Sequence, residues 1–167
     1  MPRAIWQCCE FSRRALPAWQ RFTCTLSGTA MTSTADAFAS AAESLVGTRF
    51  RLYGRSREAG VDCVGLTAHA LSKARQKPCS IPRYGLRNAG YGFVLDFAER
   101  NGLVCVSEPV LRGDILLTRP GPAQRHLLVA LGPNRFVHAH AGLRSVTAMP
   151  GPLPWPLIHQ FRILEKC

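Results

Sequence analysis

The sequence is poor in acidic residues and lacks long apolar runs. Its 167 residues contain 10 Asp and Glu against 21 Lys and Arg, which gives a formal net charge of +11 and a pI near 10.1. No apolar run approaches the roughly 18 residues that a membrane-spanning helix needs, because Arg, Pro or Gly interrupts each one. A transmembrane protein is therefore excluded. The basic charge points to an acidic partner such as nucleic acid, an anionic lipid surface or a cell-wall polymer, without choosing among them.

The cysteines lack the pattern of a disulfide framework. They are odd in number and scattered, and no two of them form a Cys-x-x-Cys pair. Neither a disulfide scaffold nor a zinc ribbon is indicated, so at least one thiol calls for another explanation. The seven are Cys8, Cys9, Cys24, Cys63, Cys79, Cys105 and Cys167.

Residues 1–30 differ from the rest of the chain. They hold three Cys, two Trp, four Arg and one acidic residue, and they follow neither a helical nor a strand period. The segment Phe11–Pro17 breaks any apolar centre of the kind a secretory signal requires. We expect a disordered extension or a mis-called start here, with Met31 as the alternative first residue. Residues 31–167 then form a single domain that keeps 17 basic and 9 acidic residues.

Within that domain, helices come first and strands follow. Apolar spacing and capping residues predict a helix over Ala35–Val46, a second beginning at Cys63 and a third over Phe93–Arg100. Short apolar runs between Gly and Pro turns predict the strands. This order predicts an α+β fold with the helices packed on one face of an antiparallel sheet. The predicted strands are Leu103–Val106, Asp114–Thr118, His126–Leu131, Arg135–His140, Ser145–Thr147 and Ile158–Leu164.

Three residues suggest nucleophilic chemistry. Cys63 opens a helix, where the positive end of the helix dipole favours a thiolate, so its pKa is expected below the ordinary value of about 8.5. His126 begins a strand directly after a polar turn and is the candidate base. His138, on the next strand, can hydrogen-bond the other ring nitrogen of that base. A thiol, an imidazole and an orienting group form the catalytic set of cysteine peptidases.

Other interpretations of these residues remain open. His140 is the alternative to His138 as the orienting residue. His138 and His140 share one strand face and, together with His126, could instead ligate zinc. Buried packing is the commoner fate of an isolated Cys or His, and it is the interpretation for Cys79, Cys105, His69 and His159.

Four blocks of sequence carry a family resemblance. They resemble, in order and spacing, the NlpC family of papain-like cysteine peptidases, and the resemblance extends over about Ala35–Arg162. It implies a papain-like fold, with Cys63 as nucleophile, His126 as general base and His138 as orienting residue. It also implies that no cofactor is needed and that the substrate is the peptidoglycan stem peptide, cut between D-glutamate and a diamino acid. The blocks are Gly60–Leu66, Arg112–Leu117, His126–Gly132 and Phe136–Ala139.

Two positions depart from the family pattern. Val64 stands where the family commonly has Ser, and Phe50 stands where it commonly has Tyr. Tyr53 is the candidate for the missing hydroxyl near the oxyanion, with backbone N–H groups at the helix start as the alternative. The substrate-binding candidates are Asp62, Tyr53, Arg55 and His140, and Arg57 and Arg144 are further candidates to bind substrate carboxylates.

Three segments, Gly54-Arg55, Pro120–Gln124 and His138–Arg144, resemble the tail-associated peptidases of phages and gene transfer agents. That likeness implies tail proteins as partners, synthesis in the cytoplasm without a signal peptide, and action at the bacterial cell wall. Two rival functions remain. One is a catalytically silent tail component or wall-binding module. The other is a nucleic-acid-binding protein, which is disfavoured because the arginines are scattered and no stacking-aromatic motif accompanies them.

Overall fold

The computed structural model describes residues 33–85 and 90–164. The predicted extension over residues 1–30 and the alternative start at Met31 lie outside the described residues. The described part contains three helices and eight strands. The helices are α1 (Thr34–Glu43), α2 (Cys63–Arg75) and α3 (Gly92–Arg100). The strands are β1 (Arg55–Ser56), β2 (Gly60–Val61), β3 (Leu103–Val106), β4 (Ile115–Thr118), β5 (His126–Gly132), β6 (Arg135–His140), β7 (Ser145–Pro150) and β8 (Leu157–Ile163).

The six longer strands form one antiparallel sheet. Its order is β3-β8-β4-β5-β6-β7, so the last strand in the sequence lies between β3 and β4. The predicted α+β fold is confirmed. The small hairpin β1–β2 was not predicted, because two-residue strands are too short to show a period. Strand β7 continues to Pro150, three residues beyond the predicted end, where it pairs with β6.

Both faces of the central strands are buried. Ile115, Leu117 and Val129 belong to the main core, together with side chains of α1 and α2 such as Phe38 and Leu66. On the opposite face a second apolar cluster consists of Leu116, Leu128, Ala130 and Phe136. This two-sided burial explains why β4 and β5 appear as continuous apolar runs in the sequence instead of alternating.

Close backbone packing fixes the start of α2. A Cβ added to Gly65 would lie 1.9 Å from the carbonyl oxygen of Gly54, and one added to Gly54 would lie 2.1 Å from that of Gly60. A side chain at Gly65 would therefore push the helix away from the segment that leads into β1, and one at Gly54 would push that segment away from β2. The N-terminus of α2 is held in place by this contact. No helix among the described residues is long and apolar enough to cross a membrane.

A buried carboxylate joins β4 to β8. Asp114, only 1% exposed, accepts hydrogen bonds from the Leu111 backbone N–H at 2.7 Å and from Gln160 Nε2 at 2.8 Å. Arg162 donates to the same carboxylate through Nε at 2.8 Å and Nη2 at 2.9 Å. Asp114 thus ties the loop before β4 to the strand that completes the sheet.

Candidate active site

Cys63 lies at the N-terminus of α2, as predicted. Asp62 is the N-cap residue, with an extended backbone, and its Oδ1 accepts the Gly65 N–H at 2.7 Å. The Cys63 side chain is partly buried and lies on the wall of a cleft of about 420 Å³. The backbone N–H of Leu127, on β5, hydrogen-bonds the sulfur. The start of α2 and strand β5 therefore come together at the Cys63 thiol.

The predicted direction of the Cys63 pKa is wrong. The pKa of the thiol is raised to about 11, mainly by burial and to a smaller extent by the neighbouring Asp62 charge. Hydrogen bonds from the backbone N–H groups of Leu127, Val64 and Cys63 lower it without offsetting the desolvation. Burial disfavours the thiolate more than the positive end of the helix dipole favours it. In the resting protein Cys63 is therefore a neutral thiol.

Two imidazoles that line the same cleft as Cys63 are in direct contact with each other. The Nε2 atom of His126 lies 2.8 Å from Nδ1 of His138, and both rings line the cleft. Burial lowers the pKa of His126 to about 3 and that of His138 to about 4, and the charges of neighbouring histidines lower both further. The pair is neutral near pH 7. His126 can therefore accept a proton, and the nitrogen left for this is Nδ1.

His140 is placed differently. Its ring centroid lies 5.4 Å from that of His138, but its Nδ1 accepts the Leu143 backbone N–H at 3.1 Å. His138, and not His140, contacts His126. Among the residues that the structure describes, no three His, Cys, Asp or Glu side chains are grouped as they would be around a metal ion.

A tryptophan packs against both imidazoles of the candidate site. Trp155 lies edge-on to His126 and His138, with ring centroids 5.6 and 5.8 Å apart respectively. The ring belongs to the segment between β7 and β8, where Pro154 and Pro156 flank it. It also packs against the second apolar cluster and lines the cleft. Trp155 therefore covers the side of the imidazole pair that faces this segment.

Asp62 is the centre of a hydrogen-bond network. Besides Gly65, it accepts the Tyr84 hydroxyl at 2.7 Å, the Tyr53 backbone N–H at 2.7 Å and Arg55 Nη1 at 3.3 Å. The carboxylate is 3% exposed. Desolvation and this hydrogen bond raise the pKa of Tyr84, so its phenol stays protonated and donates to Asp62. Protein donors therefore occupy both oxygens of Asp62.

The other sequence candidates lie around this network. Tyr53 is 49% exposed and packs on the Tyr84 ring, with centroids 5.3 Å apart. Arg55 lies over the same ring, 5.1 Å from its centroid. Neither Tyr53 nor Arg55 lines the cleft, whereas Asp62 and His140 do. Arg57 and Arg144 are exposed, and Arg57 donates to the Ser44 carbonyl.

Sequence reasoning missed three residues of the site. Tyr84 follows Ile81-Pro82-Arg83 in a loop without any period, so nothing in the sequence connected it to Asp62. Thr147 contacts His138 across β6 and β7. Trp155 carried a usable signal, since a tryptophan between two prolines indicates a rigid, aromatic surface segment.

The other described cysteines are not part of the cleft lining. Cys79 Sγ donates to Asn101 Oδ1 at 3.0 Å, and Cys105 Sγ lies 3.9 Å from His159 Nδ1. Both side chains pack against the main core. Their contacts agree with the interpretation of Cys79 and Cys105 as packing residues.

Removing the Tyr84 hydroxyl is expected to destabilise the site. In Tyr84→Phe the buried carboxylate of Asp62 loses one donor, and a hydrogen bond to a charged group contributes about 1.5–3 kcal/mol. We expect the free energy of unfolding, measured by urea denaturation, to fall by about that amount. Tyr53→Phe is the matched control, because Tyr53 bonds Asp62 through its backbone N–H, which the substitution keeps. Equal losses in both variants would contradict the role of the Tyr84 hydroxyl.

Acid is expected to destabilise the fold through the two imidazoles. The folded-state pKa values of His126 and His138 lie below the ordinary value of 6.5, so the stability that their neutral forms provide is complete above pH 6.5. It is lost as the pH falls toward about 4 for His138 and about 3 for His126. Urea denaturation at steps between pH 7 and pH 4 measures this dependence. In His126→Gln the loss of stability with acid should be smaller. The same pH dependence in both proteins would show that His126 does not contribute.

The chain and its fold are similar to a known protein family and to several solved structures. The model of the NlpC/P60 family matches residues 47–156. Among curated proteins no match is found. The fold is similar to the P60 domain of an antigen of Mycobacterium avium subspecies paratuberculosis, at 21% identity and TM-score 0.56, over 80% of this chain and 96% of that one.

Two further solved structures are similar. The peptidoglycan hydrolase RipB of Mycobacterium tuberculosis shares 22% identity at TM-score 0.56, over 80% of this chain and 66% of that one. An NlpC protein of Trichomonas vaginalis shares 17% identity at TM-score 0.58, over 83% of this chain. The present chain spans 49% of that protein's length. Since the matched residues 47–156 make up most of the chain and include Cys63, His126 and His138, the chain belongs to the NlpC/P60 family.

Proposed function

We propose that this protein is a cysteine peptidase that hydrolyses the stem peptide of bacterial peptidoglycan. Cys63 is the nucleophile, His126 the general base and His138 the residue that orients it. The observation that carries the proposal is the 2.8 Å contact of His126 Nε2 with His138 Nδ1, beside a thiol that opens onto the same cleft. This is the nucleophile, base and orienter arrangement on which thiol peptidases depend.

The reaction starts from a neutral pair. His126 carries its proton on Nε2 and donates a hydrogen bond through it to His138. The Nδ1 lone pair of His126 is therefore free to accept the thiol proton. As the Cys63 sulfur bonds to the substrate carbonyl carbon, its proton passes to Nδ1 of His126. The imidazolium then protonates the leaving amine and the C–N bond breaks. Water hydrolyses the thioester with His126 again as base, which regenerates the thiol.

The oxyanion is stabilised by backbone groups. Phe50 and Val64 have no hydroxyl, and the Tyr84 hydroxyl already donates to Asp62. The backbone N–H groups of Cys63 and Val64, at the start of α2, both act on the sulfur as hydrogen-bond donors that lower the pKa of the thiol. The oxygen of a tetrahedral intermediate bonded to that sulfur lies within their reach, at the positive end of the helix.

The charges at the cleft suit a substrate that bears carboxylates. Asp62 is the one carboxylate among the described residues that line it, and protein donors already occupy both of its oxygens. Arg125 and His140 also line the cleft. Stem peptides carry free carboxylates, so this balance favours them over a cationic peptide. Within that class we propose the bond between D-glutamate and the diamino acid, as the family resemblance implies.

Mass spectrometry of digested peptidoglycan tests the proposal. Purified sacculi are incubated with the protein and with Cys63→Ala, and the released fragments are identified. From the native protein alone we expect two products of one cut: a fragment that ends in D-glutamate and a fragment that begins with the diamino acid. Fragments cut elsewhere in the stem peptide would change the bond but keep the peptidase. No release, or equal release by both proteins, would favour a silent wall-binding module or a different nucleophile.

We propose in addition that the enzyme acts at the cell wall as part of a phage or gene-transfer-agent tail. The support is the likeness of Gly54-Arg55, Pro120–Gln124 and His138–Arg144 to tail-associated peptidases. Mass spectrometry of purified particles from the native host tests this role. The protein should co-purify with tail proteins at a fixed ratio, and its absence from intact particles would contradict the association.

A further inference from the structure

We propose that Thr147 is a positioning residue that holds His138 in the tautomer that His126 needs for catalysis. The inference rests on the proposed function, because it assigns a role within the same proton transfer. It adds one residue to the site, on strand β7, for which the sequence provided no indication of a catalytic role.

The strand register places the two side chains opposite each other. His138 on β6 pairs directly with Thr147 on β7, and side chains of directly paired residues lie on the same face of a sheet. The Oγ1 atom of Thr147 lies 3.4 Å from Nε2 of His138. His138 is 3% exposed, so water has little access to that nitrogen. The hydroxyl is therefore the partner that the structure offers to Nε2.

Only one arrangement of protons supports catalysis. If His126 Nε2 donates to His138 Nδ1, then His138 carries its own proton on Nε2 and donates it to Thr147. The reverse arrangement puts the His138 proton on Nδ1 and the His126 proton on its own Nδ1, the atom that must receive the thiol proton. That second arrangement is inactive, because the base is already protonated where it should accept.

The proton arrangement of His138 is fixed even more strictly when His126 is protonated during the reaction. Once His126 is an imidazolium, both of its nitrogens carry protons, so His138 Nδ1 has to accept and His138 Nε2 has to donate. The rings that face His138 are His126, His140 and Trp155, and the His140 Nδ1 atom is already occupied by the Leu143 N–H. The Thr147 oxygen accepts the Nε2 proton. The 3.4 Å separation is long, as catalytic hydrogen bonds often are before substrate binds.

Substitution with valine removes the acceptor while keeping the shape. In Thr147→Val we expect kcat to fall about 10- to 100-fold with little change in KM, because a buried N–H is left without a partner in the charged state. Thr147→Ser restores the hydroxyl and should recover most of the rate. Ser145→Ala is the matched control, since it removes a hydroxyl from the same strand without contact to His138. A rate in Thr147→Val equal to that of the native protein would overturn the proposal.

The tautomers can be read without any assay of activity. Nitrogen-15 NMR of the histidine side chains distinguishes a protonated ring nitrogen from a bare one, and the Cys63→Ala protein serves as well as the native one. We expect His126 and His138 both to carry the proton on Nε2, and Thr147→Val to lose this pattern at His138. A His138 proton on Nδ1 in the native protein would overturn the inference. This spectrum decides the role of Thr147 even if peptidoglycan is not the substrate.

Discussion

Replacing Cys63 by alanine is expected to abolish peptidoglycan hydrolysis, with a loss of at least about 10³-fold in rate. Alanine keeps the helix start, because the cap comes from Asp62 and the close packing from Gly65. It removes the atom that forms the thioester, and no other thiol among the described residues lies on the cleft. The release of stem-peptide fragments from sacculi, followed over time, measures the loss.

A second cysteine provides the control for this result. Cys79 is also partly buried and burial also raises its pKa to about 11, but its sulfur bonds Asn101 away from the cleft lining. Cys79→Ala should keep the native rate. If both variants lose activity equally, general destabilisation is the cause. If Cys63→Ala stays active, the nucleophile assignment is wrong.

The largest effect on stability is expected from Asp114→Ala. The change removes the Asp114 carboxylate from Arg162 and Gln160, both on β8, and deprives the Leu111 N–H of its acceptor. Among the described residues, Arg162 then keeps only the exposed Glu108 as a carboxylate partner. Removing one partner of a buried ion pair costs about 3–5 kcal/mol, because the other charge remains in a poorly hydrated place. We expect urea denaturation to show a loss of that size and the melting temperature to fall accordingly.

An exposed ion pair on α3 gives the comparison. Asp96 and Arg100 are four residues apart, and their side chains are 40% and 53% exposed. Asp96→Ala should cost only about 0.3–0.5 kcal/mol, because solvent already screens this pair. A loss in Asp114→Ala no greater than that in Asp96→Ala would show that the network around Asp114 contributes little to the fold.

Local sequence signals were sufficient to predict most of the fold. Cys63 follows a capping Asp62 and begins a helix, and the apolar runs of β3 to β6 are bounded by Gly and Pro turns. Such signals act within a few residues, so they survive in the folded chain. The hairpin β1–β2 and the end of β7 depend on pairing with other strands. They could not be predicted from their own residues.

The site was predictable only in part, for a related reason. The His126 and His138 contact requires two neighbouring strands in register, and the order of blocks in the sequence indicated it. The protonation state of Cys63 depends on how much water the sheet and the covering loops exclude, which no local pattern records. Tyr84 approaches Asp62 from a loop 22 residues further along the chain, and Thr147 meets His138 only through the register of β6 and β7. Their roles became visible only in the structure.

The position of β8 has a consequence for the order of folding. Strand β8, the last described one, lies between β3 and β4 and supplies both side-chain partners of Asp114, so the sheet cannot close until β8 is available. During synthesis β3 remains separated from β4 until β8 has left the ribosome. The edges of β3 and β4 are exposed to wrong pairing in that interval. The strands of the candidate site, β5 and β6, are made earlier, but the sheet that supports them is complete only once β8 has been made.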